Sequence, residues 1–214
     1  MKFHFYEPAA GHRLSHNPLN SIIAPRPIGW ISTRSKAGGF NLAPYSFFNA
    51  LHYDPPILGF ASTGWKDTVQ NVKDTGEFVW NLVTAELGEQ MSKSSDEVPP
   101  EVDEFKLAGL RPIAAAKVSA PRVAESRVSM ECKLVEVVQL RTARGESVQS
   151  WMVLGEVVGV HIDEGLLKDG VYQTALARPL LRCGGLRDYA VLSPEWVVQI
   201  DRAVDPKRND SHGA

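Results

Sequence analysis

The sequence predicts a mainly β domain, organised as a closed antiparallel barrel with a few helices at its periphery. Short runs of β-branched and aromatic residues recur along the chain, turn residues separate them, and the strand–helix–strand rhythm of a parallel sheet is missing. The chain has 214 residues and a mass of 23.5 kDa. A chain of this length buries a full core without disulfides, so we expect one domain over residues 1–202 and a flexible tail at 203–214.

The first two strands are predicted at residues 28–33 (IGWIST) and 40–45, with Gly38 and Gly39 at the bend of a hairpin. Four further strands follow along the chain, and the longest carries Gly155 and Gly159 as bend points. These strands are predicted at residues 57–62, 77–84, 149–162 and 196–200.

The strand predicted at residues 127–134 has the clearest pattern. Apolar residues from Val128 to Leu134 alternate with polar ones, which indicates a half-buried strand with one face toward solvent. The phase of this alternation slips at Val135, and such a slip predicts a β-bulge.

Two helices are predicted. Residues 66–75 place Val69 and Val72 on one face and end at Gly76, a residue typical of helix C-termini. Residues 86–94 form the second predicted helix. The polar, proline-containing segment 95–112 is interpreted as a loop or lid.

Charge and composition exclude several classes of function. Lys and Arg number 23 against 25 Asp and Glu, so a predominantly electrostatic nucleic-acid binder is disfavoured. The two cysteines suit a reducing compartment, and the sequence shows neither a signal peptide nor an apolar run long enough to cross a membrane. We therefore expect a cytoplasmic protein without a membrane or nucleic-acid partner.

No metal site is expected. His12 and His16 have the i, i+4 spacing of a helical metal site, but they lie in a segment typical of solvated loops. Cys132 lies on the apolar face of its strand and is expected to be an inert core thiol. Cys183, beside two glycines, is either simply buried or close to a site.

An anion site is predicted where the strand at 57–62 leads into the helix at 66–75. Free N–H groups and the helix dipole at such a start favour a phosphate. Lys66 adds a positive charge, and Ser62 and Thr68 add hydroxyl donors. The alternative is that the hydroxyls merely cap the helix and that Lys66 is solvated.

The segment 41–50 (NLAPYSFFNA) is more polar and more aromatic than a plain strand. Its rings could pack against a planar ligand while its backbone amides meet heteroatoms of that ligand, or they could form an aromatic core cluster. Ser32 and Thr33 could reach a phosphate or ribityl chain, or they could be ordinary strand hydroxyls.

Taken in order, these segments resemble the flavin reductase-like family with its FMN-binding split barrel, in the branch that includes the flavoredoxins. The resemblance runs from about Leu19 to Leu192. The motifs that carry it are RPIGWIST (26–33), NLAPYSFFNA (41–50), DPPILGFAS (54–62), KDTVQN (66–71), EFVWNL (77–82) and RCGGLRDY (182–189).

The resemblance implies a six-stranded antiparallel split β-barrel of Greek-key type and a homodimer with FMN near the subunit interface. Ser62, Lys66 and Thr68 would hold the phosphate, and Tyr189 would approach the open face of the ring or the nicotinamide. The other residues that it assigns to FMN are Ser32, Thr33, Tyr45, Ser46, Phe47, Phe48 and Asn49. Trp30 and Tyr45, with the neighbouring phenylalanines, are interpreted as aromatic surface that a second subunit covers.

The implied function is hydride transfer from NAD(P)H to flavin, with an oxygenase or electron-transfer protein as a further partner. This chemistry needs orientation and electrostatics rather than a catalytic triad, which agrees with the absence of triad and metalloprotease motifs. Two alternatives remain open: a flavoredoxin-like electron carrier without NAD(P)H activity, and a non-catalytic split-barrel protein that binds flavin, haem or another planar ligand.

Overall fold

The computed structural model describes residues 1–200. The predicted tail at 203–214 and the predicted domain boundary at residue 202 lie outside the described residues. The strands are β1 (Arg26–Pro27), β2 (Gly29–Arg34), β3 (Phe40–Tyr45), β4 (Phe48–Tyr53), β5 (Pro56–Thr63), β6 (Glu77–Asn81), β7 (Pro112–Ile113), β8 (Arg122–Val123), β9 (Val128–Arg141), β10 (Ser147–Ile162), β11 (Leu167–Lys168), β12 (Val171–Tyr172), β13 (Leu180–Arg182) and β14 (Tyr189–Val191).

The helices are short and lie between the strands. They are α1 (Leu19–Ile22), α2 (Asp67–Thr75), α3 (Gly88–Lys93) and α4 (Glu104–Ala108), with 3₁₀ turns at Pro8–Ala10, Ala85–Leu87, Glu164–Leu166, Thr174–Ala177 and Pro194–Trp196. Within residues 1–200, none of these helices has the length and apolar character needed to span a bilayer.

Seven antiparallel strands form the main sheet, in the order β3-β2-β6-β9-β10-β5-β4. Its two edge strands, β3 and β4, are separated in sequence only by Ser46 and Phe47. Because the two edges meet at this short bend, the sheet must curl upon itself. Buried side chains such as Phe60 and Phe78 fill the interior. The prediction of a mainly β fold is confirmed, and β4 extends the six strands implied by the resemblance to seven.

The predicted hairpin and the predicted bulge are both confirmed. β2 and β3 pair from Gly29 opposite Tyr45 to Arg34 opposite Phe40. In the β9–β10 pair, Leu154 faces Glu136 and Gly155 faces Leu134, so Val135 between them has no partner. The phase slip in the sequence therefore marks the extra residue of the bulge.

The predicted helix at 66–75 is confirmed as α2, which ends at Gly76 with a left-handed φ of 75°. The predicted helix at 86–94 corresponds to a 3₁₀ turn followed by α3. The strand predicted at 77–84 is shorter than expected and ends at Asn81 as β6.

Two predictions about regular structure were wrong. Residues 196–200 do not form a strand: a 3₁₀ turn ends at Trp196 and no partner strand covers the exposed side chains that follow. The segment 95–112 is not all loop, because it contains α4, whose Phe105 and Lys106 amides donate to the Asp103 carboxylate. The end of the segment 41–50, for which a plain strand was not expected, lies in the strand β4.

Two buried carboxylates hold the segment that connects β7 to β8 in place through hydrogen bonds. Glu131 on β9 accepts hydrogen bonds from the amides of Ala116 and Lys117 at 2.7 and 2.5 Å and from His161 at 2.5 Å. Glu77 on β6 accepts from the Ser119 amide at 2.7 Å. Burial opposes ionisation of Glu131, but these donors outweigh it and hold the pKa of the carboxyl below its ordinary value of 4.5.

We predict that Glu131→Gln lowers the free energy of unfolding at pH 7 by about 1–2 kcal/mol, because charge-assisted hydrogen bonds are lost. Since the folded pKa lies below 4.5, the contribution of the carboxylate is fully present above pH 4.5. This contribution disappears as the pH falls through the folded pKa. The difference in the free energy of unfolding between variant and wild type therefore narrows in acid. Urea unfolding at several pH values measures this gap. Glu136→Gln, at an exposed position of the same strand, is the control; a gap that does not change with pH contradicts the prediction.

Candidate functional site at the start of helix α2

A cavity of about 360 Å³ lies between β3, the start of α2 and the loop after α3. β3 contributes Asn41 and residues 43–45, and the chain entering α2 contributes residues 65–68. Residues 94–98 and Glu104 at the start of α4 also line the cavity. The first part of the predicted loop or lid therefore forms one wall of the cavity.

The start of α2 has no capping side chain. Its N-cap residue is Lys66, whose ammonium cannot accept a hydrogen bond, and no side chain in the described part of the chain caps this end. The first amides of the helix and the positive end of its dipole are thus available to an anion. Lys66 is exposed beside them and lines the cavity.

A buried threonine adds a hydroxyl to this site. The Thr68 hydroxyl accepts a hydrogen bond from Asn41 Nδ2 at 2.9 Å, so its own proton can be donated. Thr68 is 1% exposed and lines the cavity. The structure therefore brings Lys66 and Thr68 together, as the anion-site prediction expects.

Tyr45 carries the least satisfied hydroxyl of the site. Its ring packs on Phe60, with the centroids 4.7 Å apart, and the residue is 7% exposed. Burial raises the pKa of the phenol to about 12, although the nearby Thr68 and Ser62 hydroxyls partly lower it. Among residues 1–200, the Tyr45 hydroxyl meets no partner at ordinary hydrogen-bond geometry. At neutral pH the phenol keeps its proton, and the residue lines the cavity.

Other predicted site hydroxyls bond within the protein. Ser32 is fully buried; its hydroxyl donates to the Pro121 carbonyl at 2.5 Å and accepts from Asn81. Thr33 accepts from Asn71 at 3.1 Å, and Ser62 donates to the Gly64 carbonyl at 2.9 Å, at the turn before α2. None of these three residues lines the cavity.

The predicted residues 46–49 lie at and after the bend between β3 and β4, beyond the cavity walls. Phe47 is 45% exposed, and the Arg26 guanidinium lies 5.8 Å from its ring centre. Phe48 stacks on Trp80 with centroids 5.7 Å apart. Asn49 accepts from the amide that follows it, and Ser46 is half-buried at the bend.

Tyr189 lies away from this cavity, on the small sheet that β1 forms with β13 and β14. The Arg182 guanidinium sits 4.8 Å from the Tyr189 ring centre, and Tyr189 lines a separate cavity together with Trp196. Arg26 links the two regions, since it faces Phe47 and donates to the Cys183 carbonyl at 3.4 Å.

Both cysteines are free thiols, and burial raises the pKa of the Cys132 thiol.

Sequence reasoning missed the acidic residues of the cavity. Glu104 accepts from the Leu42 amide at 3.1 Å and so occupies a hydrogen-bonding position on the edge strand β3. Burial raises the pKa of Glu104, and the charges of Asp67 and Asp103 raise it further, against the backbone hydrogen bonds that lower it. Glu104 lies 62 residues from Leu42 in the chain, so no local pattern could have placed it here. Within residues 1–200, no cluster of three or more metal-ligating side chains is found.

We predict that Tyr45→Phe weakens binding of FMN, the ligand that the sequence resemblance implies, about fivefold, the equivalent of one modest hydrogen bond. Without FMN the variant should be as stable as wild type or slightly more so, because the change removes a buried hydroxyl that lacks a partner. Fluorescence titration with FMN and urea unfolding measure the two effects. Tyr172→Phe, in another part of the chain, is the control for removing a phenol. A Tyr45→Phe protein that binds FMN as wild type does would contradict this role.

The fold is that of a mainly β split-barrel domain, and a cavity lies at the uncapped start of α2. The family model of the flavin reductase like domain matches residues 22–181, so the chain belongs to the flavin reductase-like family. An uncharacterized protein of Aquifex aeolicus is 40% identical over 170 residues, which are 77% of this chain and 83% of the relative.

Solved structures agree with this assignment. Nitrilotriacetate monooxygenase component B from Bacillus cereus superposes with a TM-score of 0.77 at 30% identity, covering 86% of this chain and 98% of that chain. A Shewanella frigidimarina protein with a split barrel domain superposes with a TM-score of 0.76 at 27% identity, covering 86% and 90%. The resemblance drawn from the motifs and the split-barrel fold are both confirmed.

Proposed function

We propose that the protein is an FMN-binding NAD(P)H:flavin oxidoreductase, with the FMN phosphate at the start of α2. The observation that carries the proposal is the uncapped start of this helix, with Lys66 beside it and the buried Thr68 hydroxyl facing the same cavity. A helix start with free amides suits a terminal phosphate. The family assignment supports a flavin as the molecule that carries it.

The residues of the cavity fit the phosphate end of FMN. The α2 amides and Lys66 would hold the anion, while Thr68 and Tyr45 would donate hydrogen bonds. The bend formed by Ser46 and Phe47 directly follows Tyr45 in the chain. Its exposed Phe47 would lie toward the ring end of FMN. When bound, FMN supplies the ring that accepts a hydride from the nicotinamide. The protein contributes orientation and fixed dipoles, so no side chain has to donate a proton for the hydride step.

The test is steady oxidation of NADH and of NADPH with free FMN in excess. Many turnovers per protein chain with at least one nicotinamide support an oxidoreductase. FMN binding without nicotinamide oxidation would overturn the enzymatic proposal and leave an electron carrier. Failure to bind FMN, with a spectrum that shows another planar ligand, would leave a non-catalytic binding protein. The proposed reducing, cytoplasmic location is supported by the two free thiols.

We predict that the protein is a homodimer. The aromatic surface proposed from the sequence is smaller than expected, because Trp30 and Tyr45 are buried. The apolar surface lies instead on the edge strand β4, where Leu51 is 53% exposed, and near α1, where Ile22 and Ile23 are exposed. Exposed apolar side chains on an edge strand are usually covered by a partner. Light scattering should give twice the chain mass of 23.5 kDa; a single-chain mass at micromolar protein would contradict the prediction.

A further inference from the structure

The cavity at the start of α2 has an unusual charge balance for a phosphate site. Among the residues of the described range 1–200 that line it, Lys66 is the single cation, whereas four carboxylates share the walls. These are Asp67, Asp96, Glu97 and Glu104. The formal charge of the lining is therefore −3 when all five side chains are ionised.

The carboxylates lie on three different elements. Asp67 is in the first turn of α2, Asp96 and Glu97 are exposed on the loop after α3, and Glu104 starts α4. The Glu104 carboxylate accepts a hydrogen bond from the Leu42 amide on β3, and this bond holds it in place. Asp96 and Glu97 line the same cavity as the helix start. Like charges in water repel over a range set by ionic strength.

We propose that this acidic wall makes the site a weak, salt-dependent FMN site that prefers FMN only slightly over riboflavin. The inference rests on the proposed function, because it takes the FMN phosphate to bind at α2. Lys66 and the helix start attract the phosphate at short range, while the wall repels the dianion at longer range.

The sign of the salt effect distinguishes this arrangement from a cationic phosphate site. Raising sodium chloride from about 0.01 M to about 0.1 M shortens the screening length from about 30 Å to about 10 Å. Screening removes the long-range repulsion first, so FMN affinity should rise about threefold with salt. At a site dominated by attraction, the same change lowers FMN affinity.

The experiment titrates the full chain with FMN and with riboflavin by flavin fluorescence at both salt concentrations. The variants are Asp96→Asn and Glu97→Gln, which remove charge at nearly constant shape, and their combination. Glu101→Gln is the matched control, because Glu101 is an exposed acid on the same loop that does not line the cavity.

We expect the combined variant to bind FMN about three- to tenfold more tightly at low salt, since removing two carboxylate charges weakens the repulsion of the phosphate. Riboflavin affinity should not change, because riboflavin lacks the phosphate. FMN affinity that falls with salt, or that the combined variant leaves unchanged, would overturn the acidic-wall proposal while the proposed function stands. If neither flavin binds, both proposals fail.

Discussion

Lys66→Ala should weaken FMN binding about tenfold and leave riboflavin binding unchanged. Within residues 1–200, Lys66 is the single cation that lines the cavity, so its loss removes the attraction for the phosphate and leaves the four carboxylates. A charge-assisted hydrogen bond is worth about a decade or more in affinity. Because Lys66 is exposed, the difference between variant and wild type should shrink as salt rises. Titration of both proteins with both flavins measures the effect.

Lys36→Ala is the matched control for this substitution. Lys36 is an exposed cation that pairs with Asp74 at 3.4 Å and does not line the cavity. Its loss should change neither affinity, since exposed ion pairs contribute little. Equal losses of FMN and riboflavin affinity in Lys66→Ala would show that Lys66 supports the fold rather than the phosphate.

Gly155→Ala should lower the free energy of unfolding by about 2–3 kcal/mol, the upper part of the range for overpacked cores. A Cβ at Gly155 would overlap the ring of Phe78, and it would lie 3.1 Å from the Cβ of Cys132. Phe78 is fully buried in the barrel interior and has no room to withdraw. Gly155 also sits at the bulge opposite Leu134, where its backbone position is fixed.

Gly159→Ala on the same strand is the control, because a Cβ there meets Glu131 at 3.4 Å, an ordinary contact. Urea unfolding should place this variant within about 0.5 kcal/mol of wild type. A Gly155→Ala protein as stable as the Gly159→Ala protein would show that the Phe78 ring is free to move aside.

Much of the barrel was predictable because its strands have clear local patterns in the sequence. The alternation that begins at Val128 placed β9, and its phase slip at Val135 placed the bulge to the residue. β4 was missed because its aromatic and polar residues resemble a binding segment more than a strand. α4 was missed because its five residues follow a run rich in proline and acid, although Asp103 is a good cap signal.

The site was predictable where a few consecutive residues build it. The sequence KDT at 66–68 is sufficient to propose an anion at a helix start. Tyr45 was also named, but the lack of a partner for its hydroxyl is visible only in the folded chain. Ser32 and Thr33 show the opposite case, because their hydroxyls bond to residues more than 35 positions away. The acidic wall comes from segments that only the fold brings together.

The most direct test of the central claim is the crystal structure of the FMN complex. We predict that the FMN phosphate lies at the start of α2, within hydrogen-bonding distance of the Thr68 hydroxyl and of the first amides of the helix. A phosphate found elsewhere, for example in the separate cavity beside Tyr189, would contradict this site.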